Sequence, residues 1–117
     1  MLSLCLFLLP SCASLSSSTD LEKVRAVYPD VRMMLEIGTS LAVRNEVVSP
    51  EEGQRILDAL DAAQRSLDAG AGQSDLQGVL ALGHGLLDAM ERSGRFEGSD
   101  IAAARALLRL LAHRLGA

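Results

Sequence analysis

Aromatic residues are nearly missing from this chain. Its 117 residues include one Tyr, two Phe and no Trp. Phe7 lies in an apolar N-terminal run, which leaves Tyr28 and Phe96 as the only rings for a folded core. That core must be aliphatic and Ala-rich, with little area buried per side chain, so the expected stability is modest, about a few kcal/mol. Lysine occurs once, at Lys23, and the arginines are scattered singly against a net charge of -4. A nucleic-acid partner needs a positive stripe, and none is present. The same scarcity removes any electrostatic case for binding anionic lipid. There are two cysteines, Cys5 and Cys12. They are too few for a Cys-rich zinc site and leave the C-terminal hundred or so residues (~100) without a covalent staple.

Catalytic patterns are also missing. His84 and His113 are the only histidines; His84 has a single acid, Asp88, at i+4, His113 has none, and neither HxxxH nor HExxH occurs, so no metal-ligand set is complete. Glu51-Glu52 is explained by helix capping and Asp58/Asp61 by a solvated face, whereas acid/base catalysis needs a clefted carboxylate. No GxSxG occurs, and Gly83-His84-Gly85 lacks the Lys and the preceding strand of a phosphate loop. No enzyme, cofactor or metal site is expected.

What the chain does have is hydrophobic residues (49%) at helical spacing. Thr19-Asp20-Leu21-Glu22 reads as a capping box opening a first helix. Leu21, Val24, Tyr28, Val31, Leu35 and Ala42 then share one face. Pro29 interrupts it, but the stripe keeps its phase, which predicts one kinked helix rather than two. Ser49-Pro50-Glu51-Glu52 combines an N-cap, a first-turn Pro and a glutamate three residues past the cap. Ile56, Leu60, Ala63 and Leu67 form the stripe that follows, with Asp61 and Arg65 spaced for a surface pair. A third helix is expected from the capping box Ser74-Asp75-Leu76-Gln77. Its face is Leu76, Val79, Leu80, Gly83, Leu87 and Met90, and Gly83 on that face predicts a close helix crossing. A fourth follows Ser99-Asp100 with Ile101, Ala104, Leu108, Leu111 and Leu115, while Leu107 and Leu110 make it apolar on more than one side. Phe96 is placed to plug the end of the core. With short connections, this is an all-α, up-and-down bundle of three or four helices.

The N-terminus is a different kind of sequence. The apolar run Leu4–Leu9 is far shorter than the ~20 residues of a spanning helix, but it suits the hydrophobic region of a secretory signal. It is followed by Leu9-Pro10-Ser11-Cys12 and then by serines 14 and 16–18. This arrangement resembles a bacterial lipoprotein, with those four residues standing as the lipobox. It departs from the family's pattern at Pro10, where a small residue is usual, and in having no Lys or Arg before the apolar run. The resemblance implies that residues 1–11 are a signal peptide and that Cys12 becomes the lipidated first residue. Residues 12–19 would then be a Ser-rich tether and 20–117 the helical bundle domain. The residues also fit an ordinary signal cut near Ala13, or an uncleaved apolar N-terminus.

Two functions fit these features. The first is a small envelope lipoprotein, held to membrane lipid through Cys12 and facing the periplasm, whose bundle works by protein contact or as a spacer. The second is a cytoplasmic helical adaptor or antitoxin-like partner. In either, Leu107 and Leu110 mark the C-terminal helix as a surface for a protein partner or a second copy.

Overall fold

The computed structural model describes the backbone of residues 2–116 and the side chains of residues 21–116. Four helices follow one another: α1 (Leu2–Arg44), α2 (Pro50–Asp68), α3 (Gln73–Ser93) and α4 (Gly98–Arg114). The connections are residues 45–49, 69–72 and 94–97. Links this short turn each helix back along its predecessor. The helices form a ring in which α1 and α3 each pack on both α2 and α4. α1 and α3 also meet across one diagonal, whereas α2 and α4 share no close approach among the described residues. The bundle expected from the sequence is present with four members.

The helix ends match the capping chemistry only in part. At α2, the Ser49 hydroxyl accepts from the Glu52 backbone N–H at 3.1 Å, and Pro50 occupies the first turn. The third helix does not start at Ser74. Gly72, at φ 115°, is its N-cap, and the Gly72 carbonyl accepts from Leu76 N–H at 2.8 Å. The left-handed backbone available to glycine starts the helix ahead of the serine, and Asp75 instead accepts a hydrogen bond from the Ser66 hydroxyl of α2. The fourth helix is capped at Glu97, not Ser99, with no side-chain hydrogen bond. The α1 backbone is helical from Leu2 rather than from Thr19. The Thr19 and Cys12 side chains lie outside the described residues. α1 continues through Pro29, so the proline does not divide it. It ends where Glu46 takes φ 60° and Val47 N–H reaches back to the Ala42 carbonyl at 2.8 Å. That is a Schellman turn with glutamate where glycine is usual.

The expected stripes are the core. Tyr28, Val31, Leu35, Leu60, Leu67, Leu76, Leu108 and Leu111 are essentially sealed from solvent. Val27, Thr39 and Leu86 are buried as well, on the flanks of those stripes. The Asp61–Arg65 pair does not form. Asp61 accepts from Arg32 of α1, which also pairs with Glu36 at 3.4 Å. A partner across the helix seam displaces one along the helix because Arg32 is already half-buried beside Asp61.

Glycine sets two helix crossings. A Cβ on Gly83 would lie 3.1 Å from Leu108 Cδ1 and 3.3 Å from Leu35 Cδ2, which is the close crossing expected there. A Cβ on Gly53 would lie 2.6 Å from Val43 Cγ2 and 3.2 Å from Thr39 Cγ2. Val43 is β-branched and stiff, so it cannot swing clear cheaply. Gly78, by contrast, faces open space.

Polar ties hold the other seams. Between α1 and α2, Tyr28 Oη donates to the Leu60 carbonyl at 2.6 Å and Arg25 donates to the Leu67 carbonyl. Between α3 and α4, Arg105 donates to Asp88 at 2.7 Å and to Glu91 at 2.8 Å. The Arg105 hydrogen bond holds the Asp88 carboxyl below its usual range, and the two acids hold Arg105 above its own. Burial pushes the Tyr28 phenol up from 10.0 to about 12, against the lowering pull of Arg32.

Two predictions follow from this packing. Gly53→Leu should lower stability by about 1–3 kcal/mol through overpacking, while Gly78→Ala should raise it by about 0.5–1 kcal/mol through helix propensity. Urea unfolding of the two variants beside the parent checks both signs. The second concerns pH. The folded-state value for Tyr28 lies above the unfolded one, so its contribution is complete below pH 10 and is lost as pH rises towards about 12. The loss should reach about 2–3 kcal/mol. Tyr28→Phe should cost about 1 kcal/mol at neutral pH and remove this part of the alkaline loss. Phenolate absorbance of the one tyrosine, followed alongside unfolding, measures it.

Candidate functional site

The feature that stands out from the packed bundle is an apolar groove between α1 and α4. Its volume is about 430 Å³, within the range of ligand-sized pockets. α1 supplies one wall with Met33, Met34, Ile37 and Leu41, and α4 supplies the other with Ile101 and Ala104. Leu87 and Met90 of α3 form the floor, and Phe96 closes the end near the α3–α4 connection. The groove exists because small residues line its sides. Ala104 leaves room on the α4 wall, and Gly38, where a Cβ would already touch Leu86 at 3.5 Å, lets α3 come close enough to α1 to form the floor.

Two of these side chains are unusually open. Met33 is 61% exposed and Ile37 55%. They stand four residues apart, on the same outer line of α1. Three methionines in one groove give it a soft and adaptable wall. The charged residues in the lining are Asp30 and Asp100, and no Lys or Arg lines it. Asp100 begins α4 near the end of α1, where Arg95 donates to the Asn45 carbonyl. Asp30 lies at the opposite end of the groove. The carboxylates are therefore separated along the groove by roughly the span from Asp30 to Leu41, about 16 Å of helix.

The nearby arginines are engaged elsewhere. Arg32 lies on the α2 side of α1, paired with Asp61 and Glu36. Burial works against its charge, but these acids outweigh burial and hold the guanidinium above its usual range. Arg105 faces α3.

A second cavity, of about 410 Å³, lies between α1 and α2 and is more polar. Glu36, Ser40, Arg44 and Gln54 stand around it, and the buried Thr39 hydroxyl beside it has no hydrogen-bond partner among the described residues. Among the described residues no three His, Cys, Asp or Glu side chains converge as a metal site would require. His84 is half-buried on α3 and His113 is exposed on α4. Among the described residues no helix is long and apolar enough to cross a membrane.

The interaction residues read from the sequence lie elsewhere. Leu107 is half-buried against the core, Leu110 is 38% exposed, and neither lines the groove. α4 does contribute to the groove, but through Ile101 and Ala104. The larger exposed residues are on α1. A signal for them was present: Met33, Ile37 and Leu41 recur at steps of four, as a second stripe beside the core stripe. No family model matches the chain, and no curated protein or solved structure matches it either.

Met33→Glu and Ile37→Glu should each shift stability by no more than about 0.5 kcal/mol, because both side chains are largely in water. Both should suppress the fluorescence gain of a hydrophobic dye mixed with the folded protein. A thermal melt and a dye titration of each variant check the pair.

Proposed function

We propose that this chain is a small envelope lipoprotein, anchored through Cys12 and facing the periplasm, whose helical bundle works by binding another protein. The observation that carries the binding role is the α1–α4 groove, with Met33 and Ile37 open to solvent above a floor of Leu87 and Met90. Soluble proteins seldom leave neighbouring large apolar side chains open over a preformed groove without a use for them. The anchoring role rests on the sequence Leu9-Pro10-Ser11-Cys12 after a short apolar run. A thiol is the side chain most easily alkylated, and several acyl chains on one terminus give the stable attachment that a single chain cannot. The role is one of contact, with no chemistry assigned to the bundle.

The groove equally favours a second reading, a cytoplasmic helical adaptor with an unprocessed N-terminus, because the groove does not depend on Cys12. Cys12 separates the two readings. In the anchored form, cells should yield a Cys12 peptide carrying a thioether-linked diacylglycerol by mass spectrometry. Cys12→Ala should move the protein from the membrane fraction to the soluble one and leave its thermal melt unchanged. An unmodified Cys12 in a soluble wild-type protein would establish the adaptor instead.

A further inference from the structure

We infer that the α1–α4 groove seats an amphipathic helix of a partner protein, one with an apolar stripe about three turns long and a Lys or Arg near each end. The inference rests on the reading of the bundle as a protein-binding domain and names what it binds. Three properties of the groove point to this occupant.

The first is shape. The groove runs along α1 from Asp30 to Leu41, about 16 Å, the length of three helical turns. An apolar stripe of i, i+3/i+4 and i+7 residues fills such a trough. The second is texture. Met33, Met34 and Met90 can change rotamer to fit side chains of different shape, as methionine-lined helix-binding surfaces do. The third is charge. Asp30 and Asp100 stand at opposite ends, and no cation in the lining neutralises them. A cationic residue at each end of the incoming stripe meets a carboxylate on arrival.

The same charges weigh against the other occupants. A second copy docking groove to groove about a two-fold axis would set carboxylate against carboxylate at both ends. A fatty acid would bring its own carboxylate to Asp30 or Asp100.

The test uses the full chain carrying Cys12→Ala, so that no lipid competes, and a fluorescein-labelled peptide with a three-turn leucine stripe and lysine at both ends. A twin peptide replaces the lysines with glutamates. Anisotropy should show saturable one-to-one binding of the lysine peptide and none of the twin at tenfold higher concentration. Asp30→Asn with Asp100→Asn should weaken binding by about tenfold and flatten its salt dependence. Ile37→Glu should weaken it by about tenfold or more through loss of apolar contact, with Met33→Glu as a second variant and circular dichroism confirming that each is folded.

Equal affinity for the two peptides would overturn the charge argument, and with it the proposal. So would binding that Ile37→Glu leaves untouched. A monomer–dimer equilibrium abolished by Ile37→Glu would put a second copy in the groove, and stoichiometric displacement of the peptide by oleate would put an acyl chain there; either result overturns the proposal. Failure here leaves a lipidated, membrane-bound Cys12 unaffected, while an unmodified Cys12 with the peptide still bound removes the anchor and keeps the groove.

Discussion

The close approach of α1 to α3 governs the rest of the bundle. Gly83 lets Leu108 and Leu35 come within contact of the α3 backbone, and Gly38 does the same for Leu86. With α1 and α3 drawn together, the ring becomes a rhombus, and α2 and α4 stand apart across its long diagonal. The core is then two triangular columns that share the α1–α3 contact. On the α2 side, Ile56, Leu60, Ala63 and Leu67 fill the column, and Tyr28 seals it. On the α4 side, Ala104 is small, and the groove opens between α1 and α4 above Leu87 and Met90, which are themselves buried.

Electrostatics reinforces this asymmetry. The α1–α2 seam has the Tyr28 and Arg25 hydrogen bonds and the Arg32–Asp61 pair, and the α3–α4 seam has the Arg105 fork. α2 and α3 are joined through Ser66 and Asp75. Among the described residues no side-chain hydrogen bond or ion pair spans α1 and α4. Exposed pairs of this sort contribute little individually. Their effect here is more one of placement: they draw the arginines away from the groove and leave Asp30 and Asp100 as its charges.

Much of the fold was legible in the sequence because helical periodicity reports burial directly. Val24, Tyr28, Leu35, Leu60, Leu87 and Leu108 could be placed in the core from spacing alone. Ser49-Pro50 located the start of α2 because two independent preferences coincide there. Ser74 and Ser99 misled because a serine before an apolar run is a weak signal when a glycine or glutamate nearby can end the preceding turn. Thr39 is polar and carries no burial signal in the sequence, yet it is buried because Gly53 brings α2 against it. The groove was harder to see. Its residues are apolar, and the helical phase that puts Leu35 on the core stripe puts Ile37 beside it without telling whether a neighbouring helix covers or exposes it. That depends on which neighbouring helix is small at the same level, and this is a property of Gly38 and Ala104 together.

The α1–α4 seam bears on how the molecule moves. It is also the seam that joins the two ends of the helical order, so it closes the longest loop in the bundle, whereas the other neighbouring seams join helices adjacent in sequence. A contact that closes late, and that among the described residues is tied only at its end by the Arg95–Asn45 hydrogen bond between the flanking connections, opens at low cost as a sub-global fluctuation of the native state. The α1–α2 and α3–α4 hairpins can then part slightly as two units, hinged on Gly38 and Gly83, and α1 can move off Ile101 and Ala104 while the Arg105 fork between α3 and α4 stays made. The groove is thus set at the joint of the molecule, where its width can vary while both hairpins stay intact.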